Sequence, residues 1–162
     1  MRDVSMLKKR NRLSGHGFML IELIAAMTIL LILTTLAIPM VRNRIIRERE
    51  IRLREDLRTM REAIDRYKAY SDQGMIPIKA DTFGYPPDLQ TLVDGVPVKG
   101  SAKGKYRFLR KIPVDPMTGS ADWGMRSMQD DPDSKSWGGD NVFDVYSKSQ
   151  GMALDGTQYG DW

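Results

Sequence analysis

One carboxylate stands where a carboxylate is costly. Between Phe18 and Val41 the chain reads FMLIELIAAMTILLILTTLAIPMV, 24 residues in which Glu22 carries the only charge. An acidic side chain near the middle of a bilayer costs about 2.5–3.5 kcal/mol, less toward a helix end, so Glu22 should find a cation or lose its charge. The rest of the reactive inventory is thin. The single histidine is His16, cysteine is absent, and there is neither a glycine-rich phosphate loop nor a nucleophile elbow. Asp140 and Asp144 could act as a pair of carboxylates, but nothing in the sequence sets them across a cleft. Asp130-Asp131-Pro132-Asp133 reads as a solvated turn rather than a metal cluster, because Pro132 and Ser134 punctuate it. Trp123, Trp137 and Trp162 read as core or loop clamps. The inventory points away from an enzyme.

The element that must hold Glu22 is a helix. At 1.5 Å per residue the apolar run spans about 36 Å, enough for a bilayer core of about 30 Å. Lys8, Lys9, Arg10 and Arg12 precede it, which keeps the N-terminus cytoplasmic and sends the remainder outward. A secretory signal cut after Thr35-Leu36-Ala37 competes with this reading, although the apolar run exceeds the usual length of about 7–15 residues. An ordinary single-pass anchor also competes, and it leaves Glu22 without a reason. Pro39 lies inside the helical pattern, where a bend rather than an end is expected.

Beyond Val41 the helix continues in a different character. Ile45, Ile46, Leu53, Leu57, Met60, Ile64 and Tyr67 recur mostly at three- and four-residue steps among charges, which is an amphipathic pattern. Glu48 with Arg52, Glu50 with Arg54 and Glu62 with Arg66 lie at i,i+4 spacing and could support it. The joined helix covers about 53 residues, roughly 80 Å, too long for a small domain to bury. An apolar rod left outside the globular part is stable in lipid or against copies of itself.

After Ser71 glycine, proline, aspartate and serine take over. Tyr85-Pro-Pro-Asp-Leu89 predicts a turn into a short helix through Val93, while Lys105–Lys111 and Asn141–Ser147 are candidate strands. The expected fold class is α+β: a long N-terminal helix, half transmembrane and half amphipathic, packed on a small antiparallel β-sheet head with long loops. The expected divisions are 1–17, 18–41, 42–71 and 72–162.

Charge distribution argues against nucleic acid as a partner. The formal +4 of the chain is matched by residues 1–17 alone, where Arg2, Lys8, Lys9, Arg10 and Arg12 face Asp3. Arg42–Lys68 adds another +4, and the remaining residues cancel it. The basic balance is local to two segments rather than spread over a binding face.

Gly17-Phe18-Met19-Leu20-Ile21-Glu22 behind a short basic leader resembles the cleavage motif of the type IV pilin-like superfamily. Pro39, residue 22 counted from Phe18, matches the helix-breaking proline of that superfamily. Farther on, Tyr85-Pro-Pro-Asp-Leu-Gln-Thr-Leu-Val93, Phe108-Leu-Arg-Lys-Ile-Pro-Val-Asp-Pro116 and Phe143-Asp-Val-Tyr-Ser147 resemble the major pseudopilins of type II secretion, and Ala153–Trp162 a variant of their C-terminal segment.

The resemblance implies a leader over residues 1–17, cut after Gly17 by a membrane-embedded prepilin peptidase, with N-methylation of the new terminus at Phe18. It implies that Glu22 meets the Phe18 amine of its own helix or of a neighbouring subunit, and that Ile24, Ala25, Ile29, Ile32, Leu33 and Leu36 pack a helical homopolymer. It also implies a single-pass protein of the bacterial inner membrane with a periplasmic head. Its partners would be minor pseudopilins and an inner-membrane assembly platform, which build a periplasmic filament that helps export folded proteins. A type IV pilus subunit and a membrane-anchored binding domain stay open as alternatives.

The resemblance requires no cofactor but brings in calcium, which the C-terminal loop of well-studied major pseudopilins binds. Here Ser147, Asp155, Thr157 and Asp161 are the residues that could supply oxygens, against the six to eight that calcium takes. The sequence departs from the family pattern by lacking a glycine- and acid-rich insert between Asp155-Gly156 and Asp161, and a tight turn at Asp155-Gly156 is the competing reading.

Overall fold

The computed structural model describes residues 20–100 and 104–162, apart from the side chains of 36–40 and Ala80. The chain is α+β and divides into two compact units, 1–41 and Arg42–Trp162. Helix α1, Leu20–Asp72, has the length that the sequence pattern predicts. Helical structure continues through Pro39, and any bend there lies outside the description.

Within the second unit, Leu53, Leu57, Met60, Ala63, Ile64 and Tyr67 form the buried stripe of α1. Burial begins later than the periodicity predicts: Ile45 is exposed and Ile46 only half-buried. The helix ends in a Schellman turn, with Gly74 at φ +68° where a left-handed residue is required. There Gly74 N–H donates to Ser71 O (2.9 Å) and Met75 N–H to Tyr70 O (3.0 Å).

The short helix α2, Leu89–Asp94, starts where the sequence predicts, because Asp88 caps it by accepting from the Thr91 amide (2.6 Å) and hydroxyl (2.8 Å). Leu89 and Leu92 turn inward to the core. Four short strands follow as β1 (Val96–Pro97), β2 (Lys105–Tyr106), β3 (Gly124–Arg126) and β4 (Asp144–Tyr146). They form two separate two-stranded antiparallel sheets, β1 with β2 and β3 with β4, in place of one sheet. In the second sheet Gly124 faces Tyr146, Met125 faces Val145 and Arg126 faces Asp144.

The strand expected over 105–111 stops at Tyr106. Phe108 and Leu109 are both buried, so the alternation of a half-buried strand is lost, and both amides donate to Leu92 O at 3.0 Å. An aromatic group fastens β2 to α1: Tyr70 stacks on Tyr106 at 5.1 Å, and Phe108 meets Tyr67 edge-on at 5.3 Å. Trp123, Val142, Val145, Ala153 and Tyr159 complete the core against the α1 stripe.

Candidate functional site

Glu22 lies in the first turn of α1 and is exposed. Around it the described apolar side chains are exposed too: Leu20 is 76% accessible, Ile24 54% and Leu33 61%. The hydroxyls in this segment are satisfied within the helix. Thr28 donates to Ile24 O (2.7 Å), Thr34 to Leu30 O (2.9 Å) and Thr35 to Ile32 O (2.7 Å). Folding these donors back leaves carbon facing outward, as an apolar surrounding requires.

Among the described residues no helix is long and apolar enough to cross a membrane. The side chains described in this segment cover 20–35, about 24 Å of helix, while Phe18, Met19 and 36–40 belong to the same apolar run in the sequence. Gly17 and Phe18 lie outside the described residues, as do the side chains of Leu36 and Pro39.

The second region of interest is the C-terminal segment 147–162, built on a small hairpin. Met152 pairs with Gln158, Ala153 N–H donates to Thr157 O (2.8 Å), and Gly156 at φ +86° closes the turn with its N–H on Ala153 O (3.0 Å). The tight turn at Asp155-Gly156 is therefore present. Asp155 Oδ1 accepts from the Thr157 amide (3.0 Å) and hydroxyl (2.6 Å), and Arg54 lies 3.4 Å from Oδ2. These hydrogen bonds, the hydroxyl first, hold the Asp155 carboxyl below the ordinary carboxylate value.

Helix α1 clasps this hairpin from one side. Glu50 Oε1 accepts from the Leu154 amide (2.8 Å) and the Tyr159 hydroxyl (3.1 Å). The Arg54 guanidinium lies 4.0 Å from the centre of the Trp162 ring, and Trp162 Nε1–H donates to the Thr157 hydroxyl (2.7 Å). Arg61 donates to Asp144 Oδ1 (2.7 Å), Val145 O (3.0 Å) and Trp162 O (2.5 Å). From the other side Lys135 Nζ donates to Gly160 O and Asp161 Oδ1, both at 2.8 Å.

These partners reassign charges that the sequence pattern places along α1. Glu50 and Arg54 engage the hairpin, and Arg66 Nε–H donates to the Glu62 carbonyl (3.0 Å) rather than its carboxylate. Among the described residues the i,i+4 ion pairs of α1 are Arg58 with Glu62 (3.3 Å) and Lys68 with Asp72.

Each of the four candidate calcium ligands has a hydrogen-bond or ion-pair partner within the chain. Ser147 is buried and donates to Asp115 Oδ2 (2.6 Å), Thr157 and Asp155 bond each other, and Asp161 pairs with Lys135. Two of the four thus have a side-chain cation beside them already. Among the described residues no three or more histidine, cysteine, aspartate or glutamate side chains form a group. Asp144 sits between Arg61 and Arg126 (3.4 Å), and Asp140 is exposed. Asp130 Oδ2 accepts from the amides of Ser127 (2.7 Å) and Gly138 (3.1 Å), which lowers its pKa and makes it the organiser of a turn. Trp123 enters the core with Nε1–H on Pro113 O (2.9 Å), and Trp137 donates to Asn141 O (2.8 Å).

Sequence reasoning passed over Arg61, Lys135, Asp115 and the tertiary role of Glu50. Their partners are far away in sequence, and Asp115, in Pro113-Val-Asp-Pro116, is fully buried with Met117 N–H at 2.7 Å. No family model, no curated protein and no solved structure matches this chain.

Proposed function

We propose that this chain is a pilin-like filament subunit of the major-pseudopilin kind. It is cut from its basic leader after Gly17, methylated at Phe18, held in the inner membrane by the apolar half of α1, and polymerised through that half into a periplasmic filament serving type II secretion. The observation that carries the reading is the Gly17-Phe18-Met19-Leu20-Ile21-Glu22 sequence at the head of an apolar helical segment whose described side chains face outward.

The physical argument is one of surface. An exposed apolar face of this extent needs lipid or other copies of itself, and a lone carboxylate within it is stabilised by a cation or loses its charge. The amine freed at Phe18 by cleavage is four residues from Glu22, within reach along one helix face or between adjacent subunits. In the subunit interface this pair would fix the axial register of the filament.

Intact-mass analysis of membrane-extracted protein coexpressed with a prepilin peptidase tests the reading. The expected product of the wild type begins at methylated Phe18, and Gly17→Ala blocks its formation. A chain left uncut in both cases, or one that begins after Ala37, overturns it.

A further inference from the structure

Lys135 occupies a place where oxygen ligands converge. Its ammonium donates to Gly160 O and to Asp161 Oδ1, both at 2.8 Å, and lies 5.3 Å from the centre of the Tyr146 ring. A Cβ built on Gly160 would stand 3.3 Å from Lys135 Nζ and 3.4 Å from Ser147 O, so a second backbone carbonyl borders the same spot. A carbonyl and a carboxylate on the ammonium, with a second carbonyl nearby, are oxygen donors of the type a hard cation takes, though fewer than the six to eight of a calcium site. Here a cation of the chain itself is in position.

The other candidate ligands point the same way. Asp155 faces Arg54, and its remaining acceptor capacity goes to Thr157. Ser147 donates its hydroxyl to Asp115 (2.6 Å). A divalent ion bound at Gly160 and Asp161 would have to displace an ammonium, which it would also repel.

We infer that Lys135 is the internal counter-cation of the C-terminal hairpin, and that it makes closure of this segment independent of calcium and other divalent ions. Lys135 acts as a positioning residue. It ties 159–161 to the loop that follows β3, while Glu50, Arg54 and Arg61 tie the hairpin to α1. The sequence resemblance to calcium-binding pseudopilins would then not extend to the ion.

Hydrogen exchange of the full chain in detergent micelles, read by mass spectrometry over 148–162, provides the test. The amides of Ala153 and Tyr159 are hydrogen-bonded and report closure directly. Wild-type exchange in this segment is expected to be the same with excess calcium and with chelator. Lys135→Met keeps the stem over Tyr146 and removes the charge, and should raise exchange there roughly three- to tenfold, the scale of one charge-assisted bond at a half-exposed site. Exchange elsewhere in 42–162 serves as the control for global folding. Wild-type protection that falls in chelator and returns with calcium overturns the inference without any variant. An unchanged 148–162 segment in Lys135→Met overturns it as well.

Discussion

Removing the guanidinium of Arg61 should cost more than removing any other charge on α1 that the structure describes. Arg61 ties α1 to two other stretches of chain, with Asp144 Oδ1 at 2.7 Å and Val145 O at 3.0 Å on β4 and Trp162 O at 2.5 Å, and its side chain is 39% exposed. Arg61→Met preserves most of the stem packing, so the loss is electrostatic. Hydrogen bonds to charged groups contribute about 1.5–3 kcal/mol each when well sequestered, and partial exposure reduces that. Three of them give about 3 kcal/mol. For a compact unit of this size that corresponds to a fall in Tm of roughly 10–15 °C. The internal comparison is Arg58→Met, which breaks the Arg58–Glu62 pair, 80% and 56% exposed. That pair contributes about 0.3–0.5 kcal/mol, so its Tm should move by about 2 °C. Thermal unfolding of the full chain in micelles, followed by near-ultraviolet circular dichroism of the tryptophans, separates the two. If Arg61→Met and Arg58→Met melt within a couple of degrees of each other, the clasp described above does not hold the C-terminal segment.

Gly124→Ala should be among the most damaging small substitutions, because its Cβ would stand 2.3 Å from two carbons of the Tyr146 ring across the β3–β4 pair; overpacking of this kind costs about 1–3 kcal/mol, read as a lowered denaturant midpoint, and an unchanged midpoint contradicts the register. Asp115→Ala strands the buried Ser147 hydroxyl and the Met117 amide, a loss of about 2–4 kcal/mol, whereas Asp115→Asn should recover part of it; equal midpoints for the two variants would refute the role given to these bonds. The C-terminal hairpin should loosen in acid. Because the folded-state pKa of Asp155 lies below its ordinary value, its contribution is complete above that value and is lost as pH falls through the lowered folded one. Trp162 fluorescence should record this below the ordinary carboxylate range and Asp155→Asn should abolish it, so a transition that persists in the variant assigns the change elsewhere.

Local patterns carried much of this fold in the sequence. The length of α1, the stripe from Leu53 to Tyr67 and the Asp88 cap of α2 depend on spacings within one or two turns, which the sequence displays directly. What the sequence did not display depends on partners distant in the chain. Gly124–Arg126 is too short for an alternating pattern and becomes a strand only because Asp144–Tyr146 lies opposite it. The two small sheets are likewise set by tertiary packing, since Phe108 and Leu109 both turn inward and end β2.

The charges on α1 show why i,i+4 spacing is weak ground for naming a partner. Glu50 and Arg54 stand at the spacing of a helix pair, and that pair would contribute only about 0.3–0.5 kcal/mol. Each finds a competing partner in the C-terminal hairpin: a backbone amide and a tyrosine hydroxyl for Glu50, a carboxylate and an indole face for Arg54. Glu50 accepts two hydrogen bonds in the hairpin and Arg54 meets a carboxylate and a ring face, so each makes two contacts there in place of one along the helix. The same reasoning applies to Asp161, which sequence spacing offers as a metal ligand and whose oxygen lies 2.8 Å from the Lys135 ammonium. A carboxylate in a loop accepts whichever cation the fold delivers, and here the fold delivers a lysine.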